Sequence, residues 1–175
     1  MERTDFILRK WGFEDLETLV KYANNPNISK YTSDGFPYPY TQKDGENYLN
    51  MVLANDKPIG EWLAIDVKGE AIGSVGLIYK NDIYRLNMEI GYWLAEPFWG
   101  RGIMTNAIKQ SVREGFKKYP NVQRIYGSTF GTNIGSQKAM LKAGFTQEAR
   151  IPNALIKNAN IEDEVIFGIR REMIG

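Results

Sequence analysis

The chain has 175 residues, 43% of them hydrophobic, which is enough for one sizeable core and little more, so a single domain over residues 1–175 is expected. Lysine and arginine number 22 against 21 acidic residues, so no overall field draws the chain to nucleic acid or a membrane surface, and any anion it binds is gripped locally. Cysteine and histidine are both absent, which excludes disulfide frameworks, the usual zinc ligand sets, thiol nucleophiles and imidazole bases; no metal is implied.

Residues 6–11 (FILRKW) read as a short strand. Residues 13–25 carry Leu16, Leu19, Val20 and Ala23 at helical spacing and stop before Pro26, after which a loop is expected. The stretch TSDGFPYPY (32–40) holds two prolines and three aromatics, and Thr41 then caps a helix running to about residue 54. EWLAIDV (61–67) and AIGSVGLIY (71–79) flank Lys68–Gly69–Glu70 as an antiparallel hairpin. A strand over 86–95 leads into a helix with Met104, Ile108, Ser111, Val112, Gly115, Phe116 and Tyr119 on one stripe, ended by Pro120. A strand at 123–130 follows, then a helix at 134–143 with Gly144 as its C-terminal cap, and strands at 145–151 and 164–172. Strand, helix, strand at this length is a right-handed crossover, so the strands near 90 and 126 run parallel. No long apolar run suggests a signal peptide or a membrane span, and a cytoplasmic location is expected. No pattern in the chain speaks to its oligomeric state.

The segment EIGYWLAEPFWGRGIMTNA (89–107) places Gly100 and Gly102 between a strand and a helix. Backbone N–H groups there converge on an anion without obstruction by Cβ, and the helix dipole favours phosphate oxygens. Neither a G-x-x-x-x-G-K-[ST] loop nor a G-x-G-x-x-G opening is present, which disfavours ATP and dinucleotides.

At this turn the chain resembles the GNAT superfamily of N-acetyltransferases, whose cofactor motif is [QR]-x-x-G-x-[GA]. Here it reads Trp99-Gly100-Arg101-Gly102-Ile103-Met104, with Trp99 in place of Gln or Arg and Met104 in place of Gly or Ala. FPYPYT at 36–41, EIGYWL at 89–94, Asn133 with Ser136, and KAGF at 142–145 are similar in register to the branch containing the ribosomal-protein-alanine N-acetyltransferases. The resemblance implies an α/β (α+β) fold: a mixed, mostly antiparallel sheet with one splayed parallel strand pair and helices on both faces. It also implies acetyl-CoA as co-substrate and an amine acceptor, either a protein N-terminus such as N-terminal alanine or a small molecule. A non-catalytic acyl-CoA sensor or scaffold of the same fold is the alternative.

The resemblance assigns the site residues as well. Glu89 is the candidate base, taking a proton from the acceptor ammonium directly or through water. Asn133 contacts the pantetheine arm or a site water, and it doubles as a helix cap. Ser136 is the candidate proton donor to the CoA thiolate, because the helix lacks the tyrosine that many family members have there; it serves equally as a small residue admitting CoA. Trp93, Leu94, Trp99, Gly100, Arg101, Gly102, Met104, Thr105 and Lys138 are candidate cofactor contacts. Phe36, Tyr38 and Tyr40 are candidate walls of the acceptor pocket.

Overall fold

The computed structural model describes residues 5–54 and 60–174. Seven strands form one sheet in the order β1-β2-β3-β4-β5-β7-β6: β1 (Ile7–Lys10), β2 (Gly60–Val67), β3 (Glu70–Tyr79), β4 (Asn87–Leu94), β5 (Arg124–Phe130), β6 (Thr146–Lys157) and β7 (Asn160–Arg170). The helices are α1 (Leu16–Ala23), α2 (Pro26–Ser29), α3 (Gln42–Leu53), α4 (Ile103–Lys118) and α5 (Ile134–Ala143). β1 pairs antiparallel with β2, and β7 pairs antiparallel with both β5 and β6. The parallel pair is β4 with β5, as the crossover argument requires. Its register covers only Asn87↔Arg124, Met88↔Ile125 and Glu89↔Tyr126, although both strands continue for several residues, so the ladder ends at Glu89.

The chain forms two compact units, one of residues up to Gly76 with Tyr92–Met104, the other of Leu77–Gly91 with Thr105 onward. In the first, Trp11, Leu19, Ala23, Ile28, Tyr40, Leu49 and Trp93 are buried together. α1 and α3 approach closely because residue 45 has no side chain: a Cβ there would lie 2.8 Å from Leu16 Cδ1 and 2.9 Å from Val20 Cγ2. Thr41 caps α3, accepting from the Asp44 amide at 3.3 Å while the Asp44 carboxylate accepts from the Thr41 amide at 2.7 Å. At the start of α1, Arg9 donates to both Asp15 and Asp66 at 2.7 Å, joining β1, the cap of α1 and β2.

In the second unit, the expected stripe of α4 is buried at Ile108, Ser111, Val112, Gly115 and Phe116, and it extends to Ala107. Arg171 fastens the end of this helix, donating to the carbonyls of Phe116, Tyr119 and Val122 at 2.9, 2.6 and 2.8 Å; a cation there complements the negative end of the helix dipole. Gly144 adopts φ +103° and caps α5 as expected.

Two expectations need correction. Pro26 opens the one-turn helix α2 instead of a loop; Asn25 caps it by accepting from the Asn27 amide at 2.8 Å, and proline's fixed φ suits the first helical position. β6 runs well past the expected 145–151, and β7 starts four residues before and ends two before the expected 164–172, forming a hairpin that turns at Asn158–Ala159, both at positive φ. Pro152 is accommodated because it falls within a register irregularity between Ile151 and Leu155 on the outermost strand, where a missing N–H breaks no ladder bond.

Candidate active site

The connection from β4 to α4 is built by local bonds. The Ala95 amide donates to the Ile72 carbonyl at 2.8 Å, and Glu96–Phe98 forms a single 3-10 turn. The Trp99 indole Nε1 donates back to the Leu94 carbonyl at 2.7 Å. Gly100 and Gly102 then take φ +74° and +76°, a region costly for any residue with a Cβ, and Ile103 opens the helix. The first amides of any α-helix have no partner within it, so this turn presents donors at the positive end of a 16-residue dipole. A Cβ at Gly100 would meet nothing within 4 Å, so space beside the turn is open.

Arg101 is exposed, and one guanidinium nitrogen donates to the Pro97 carbonyl at 2.8 Å with the group 5.3 Å from the Phe98 ring centre. It braces the turn that carries it. Glu96 ties the same turn to α2, accepting from Asn25 Nδ2 at 2.7 Å and from Asn27 Nδ2 at 3.1 Å; Asn25 and then Asn27 hold its carboxyl below the usual range. Neither Glu96 nor the two asparagines stood out in the sequence, where residues around Pro26 looked only like a helix stop.

Leu94 is buried, while Met104 and Thr105 are half-buried in the first turn of α4. Trp93 is buried at 7% exposure, with its ring 5.6 Å from Phe36 and its Nε1 without a partner among the described residues. The three candidate wall residues differ sharply. Phe36 is half-buried between Tyr40 at 5.0 Å and Trp93, Tyr40 is 4% exposed in the core, and Tyr38 stands 54% exposed.

Glu89 lies on β4 directly across from Tyr126, at the last paired position of the parallel ladder. Its Oε2 accepts from Lys80 Nζ at 2.6 Å, and both side chains keep about a third of their exposure, 33% and 29%. The bond to Glu89 holds the Lys80 ammonium above its ordinary range, against a desolvation that pulls it down. Lys80 was not a candidate from sequence, since no motif marks a residue in the connection beyond β3.

Asn133 is the N-cap of α5, its Oδ1 accepting from the Ser136 amide at 3.2 Å. Ser136 is therefore the third helical residue and half-buried, while Lys138 is exposed one position beyond Gln137, whose amide bonds the carbonyls of Phe130 and Gly131.

The family model described as an acetyltransferase (GNAT) domain matches residues 5–146. The chain belongs to the GNAT acetyltransferase family. Acetyl-CoA is accordingly its acetyl donor and N-acetyl transfer its reaction class. It is 28% identical to the uncharacterized N-acetyltransferase p20 of Bacillus licheniformis, over 96% of this chain and 94% of that protein. Among solved structures it is similar to the microcin C7 self-immunity acetyltransferase MccE, in complex with acetyl-CoA and AMP, at 25% identity and TM-score 0.83, covering 95% and 92% of the two chains. The ribosomal-protein-S5-alanine acetyltransferase of Vibrio fischeri shares the fold at 21% identity and TM-score 0.79, covering 98% and 95%. These GNAT relatives span nearly the whole of the chain. Among the described residues no helix is long and apolar enough to cross a membrane.

Proposed function

We propose that this GNAT enzyme transfers acetyl directly from acetyl-CoA to a primary amine, with both substrates bound and no acyl-enzyme, the acceptor being a protein N-terminus such as N-terminal alanine or a small-molecule amine. The observation that carries the reading is the pair of left-handed glycines, 100 and 102, opening α4 beside unfilled space. A pyrophosphate on this turn would be held mainly by backbone amides from 99–105, which explains why Trp99 and Met104 can stand where the family motif has other residues. Trp93 and Leu94 lie on the strand that leads into the turn, and Ser136 and Lys138 on α5 with its cap Asn133 stay candidate cofactor contacts on the strength of the family resemblance. Asn133 keeps its Nδ2 for this while its Oδ1 caps the helix.

In the reaction, Glu89 accepts the proton of the amine, whose nitrogen attacks the thioester carbonyl. The C–S bond breaks, and the departing thiolate takes a proton from Ser136 or water. A strand amide polarises the carbonyl oxygen. Near-neutral overall charge favours an acceptor held by local contacts over a polycationic tail. Ribosomal-protein and microcin-immunity acetyltransferases both occur among the similar structures, so fold alone leaves the acceptor class open.

The test is CoA release from acetyl-CoA with a panel of primary amines that includes alanine-initiated peptides. Glu89→Gln is expected to lower kcat by about 10²–10⁴-fold with CoA affinity unchanged. Wild-type turnover in that variant would remove Glu89 from the mechanism.

A further inference from the structure

Glu89, the proposed base, has a charged partner that no motif announced. Lys80, just beyond the end of β3, bonds only Oε2 of the carboxylate, and Oε1 has no partner among the described residues. Tyr126, across the ladder from Glu89, has its ring 5.8 Å from Lys80 Nζ and 4.3 Å from the Arg124 guanidinium. Arg124 is committed elsewhere: it bonds the Glu148 carboxylate, and its Nη1 donates to Asn87 Oδ1 at 3.0 Å. Of the two cations flanking Tyr126, Lys80 alone is paired with Glu89.

We propose that Lys80 is a positioning residue for the acetyl transfer: its ammonium fixes the Glu89 carboxylate through one oxygen and leaves the other free to take the acceptor's proton. This inference rests on the reading of Glu89 as base. A carboxylate on a flexible two-carbon stem otherwise samples several rotamers, and the chemistry needs one of them. The fixed ammonium does a second thing: it disfavours another positive charge beside Glu89, so the acceptor there is favoured as the neutral amine, which is its nucleophilic form. The Tyr126 ring, its centre 5.8 Å from Lys80 Nζ, adds a weak attraction for the ammonium on the side of Glu89's ladder partner.

The experiment is a mutant cycle with Lys80→Met, Lys80→Arg, Glu89→Gln and the Lys80→Met/Glu89→Gln double variant, assayed with acetyl-CoA and an amine the wild type turns over. Lys80→Gln is measured beside Lys80→Met, with thermal melting of each, so that loss of fold in one variant does not stand in for loss of rate. The expected result is a kcat lowered roughly 10–100-fold in both neutral variants, with KM for acetyl-CoA unchanged. Lys80→Arg should recover most of the rate, and Lys80→Met should add nothing in the Glu89→Gln background, because two residues acting as one unit are not additive. If Glu89→Gln is slow and Lys80→Met keeps wild-type kcat, the proposal is overturned and the base reading stands. If Lys80→Met slows the Glu89→Gln enzyme further, Lys80 acts independently and the proposal is likewise overturned. Wild-type turnover in Glu89→Gln would overturn the base reading and this proposal with it.

Discussion

Trp99 Nε1 donates to the Leu94 carbonyl at 2.7 Å, so the residue that opens the glycine turn is tied to the end of the strand feeding it. Trp99 is 45% exposed, so a ring of similar shape can keep much of its packing. Trp99→Phe keeps an aromatic ring and removes the donor. Net loss of one such bond is about 0.5–1.5 kcal/mol, which is expected to weaken CoA binding roughly 2–10-fold by titration calorimetry. Unchanged affinity would mean the turn holds its shape without the tie.

A sharper contrast separates backbone from side chain within the turn. Gly102→Val forces a β-branched residue to φ +76° and is expected to abolish thermal stabilisation by CoA. Arg101→Ala removes only the brace to the Pro97 carbonyl and an exposed charge, and a modest loss is expected. The reverse ranking in a thermal-shift titration would place the pyrophosphate on the guanidinium.

Acid stability should be governed in part by Asp15. Burial alone would push this carboxyl up, but the bonds from Arg9 and then the Gly12 amide outweigh it and hold the carboxyl below its usual range. A folded-state value below the unfolded one, about 3.9, gives stability that is present above about pH 4 and lost as pH falls through the folded value. Asp15→Asn is therefore expected to melt lower at pH 7, by about 2–3 kcal/mol of stability, and to show a shallower loss of melting temperature below pH 4 than the wild type. Parallel acid limbs in the two proteins would remove Asp15 from this role.

What was legible in the chain tracks how locally each feature is determined. Gly100, Gly102 and Gly144 could be placed because positive φ leaves few other residues acceptable, and Thr41 because a cap needs only its own helix. The length of β6 was hidden: all of its residues except Ala149, Leu155 and Lys157 face solvent, so no alternation marks it, and Pro152 reads as a break until the bulge around it is seen. The Lys80–Glu89 pair crosses a connection of seven residues from β3 to β4, and no periodicity relates its members. Nor could the loop at 36–40 be resolved residue by residue, since a segment with two prolines has no repeat that says which aromatic turns inward.

That loop provides the last prediction. Tyr38 and Tyr40 were equivalent candidates for the acceptor wall, yet Tyr40 is 4% exposed against Phe36 and Tyr38 is 54% exposed. Desolvation pushes the Tyr40 phenol up to about 12, so it stays neutral and acts as core. Tyr40→Ala opens a cavity beside Phe36 and Trp93 and is expected to cost about 3–5 kcal/mol, lowering the melting temperature by roughly 6–20 °C in a chain of this size. Tyr38→Ala removes little buried surface and should leave the melting temperature unchanged. If the loop borders the acceptor, Tyr38→Ala instead raises the acceptor's KM while sparing that of acetyl-CoA, whose turn lies beyond β4. Steady-state kinetics on both substrates reads this directly. Equal effects on the two KM values, or none on either, would make the segment a packed connector, with Phe36 and Tyr40 holding it to Trp93.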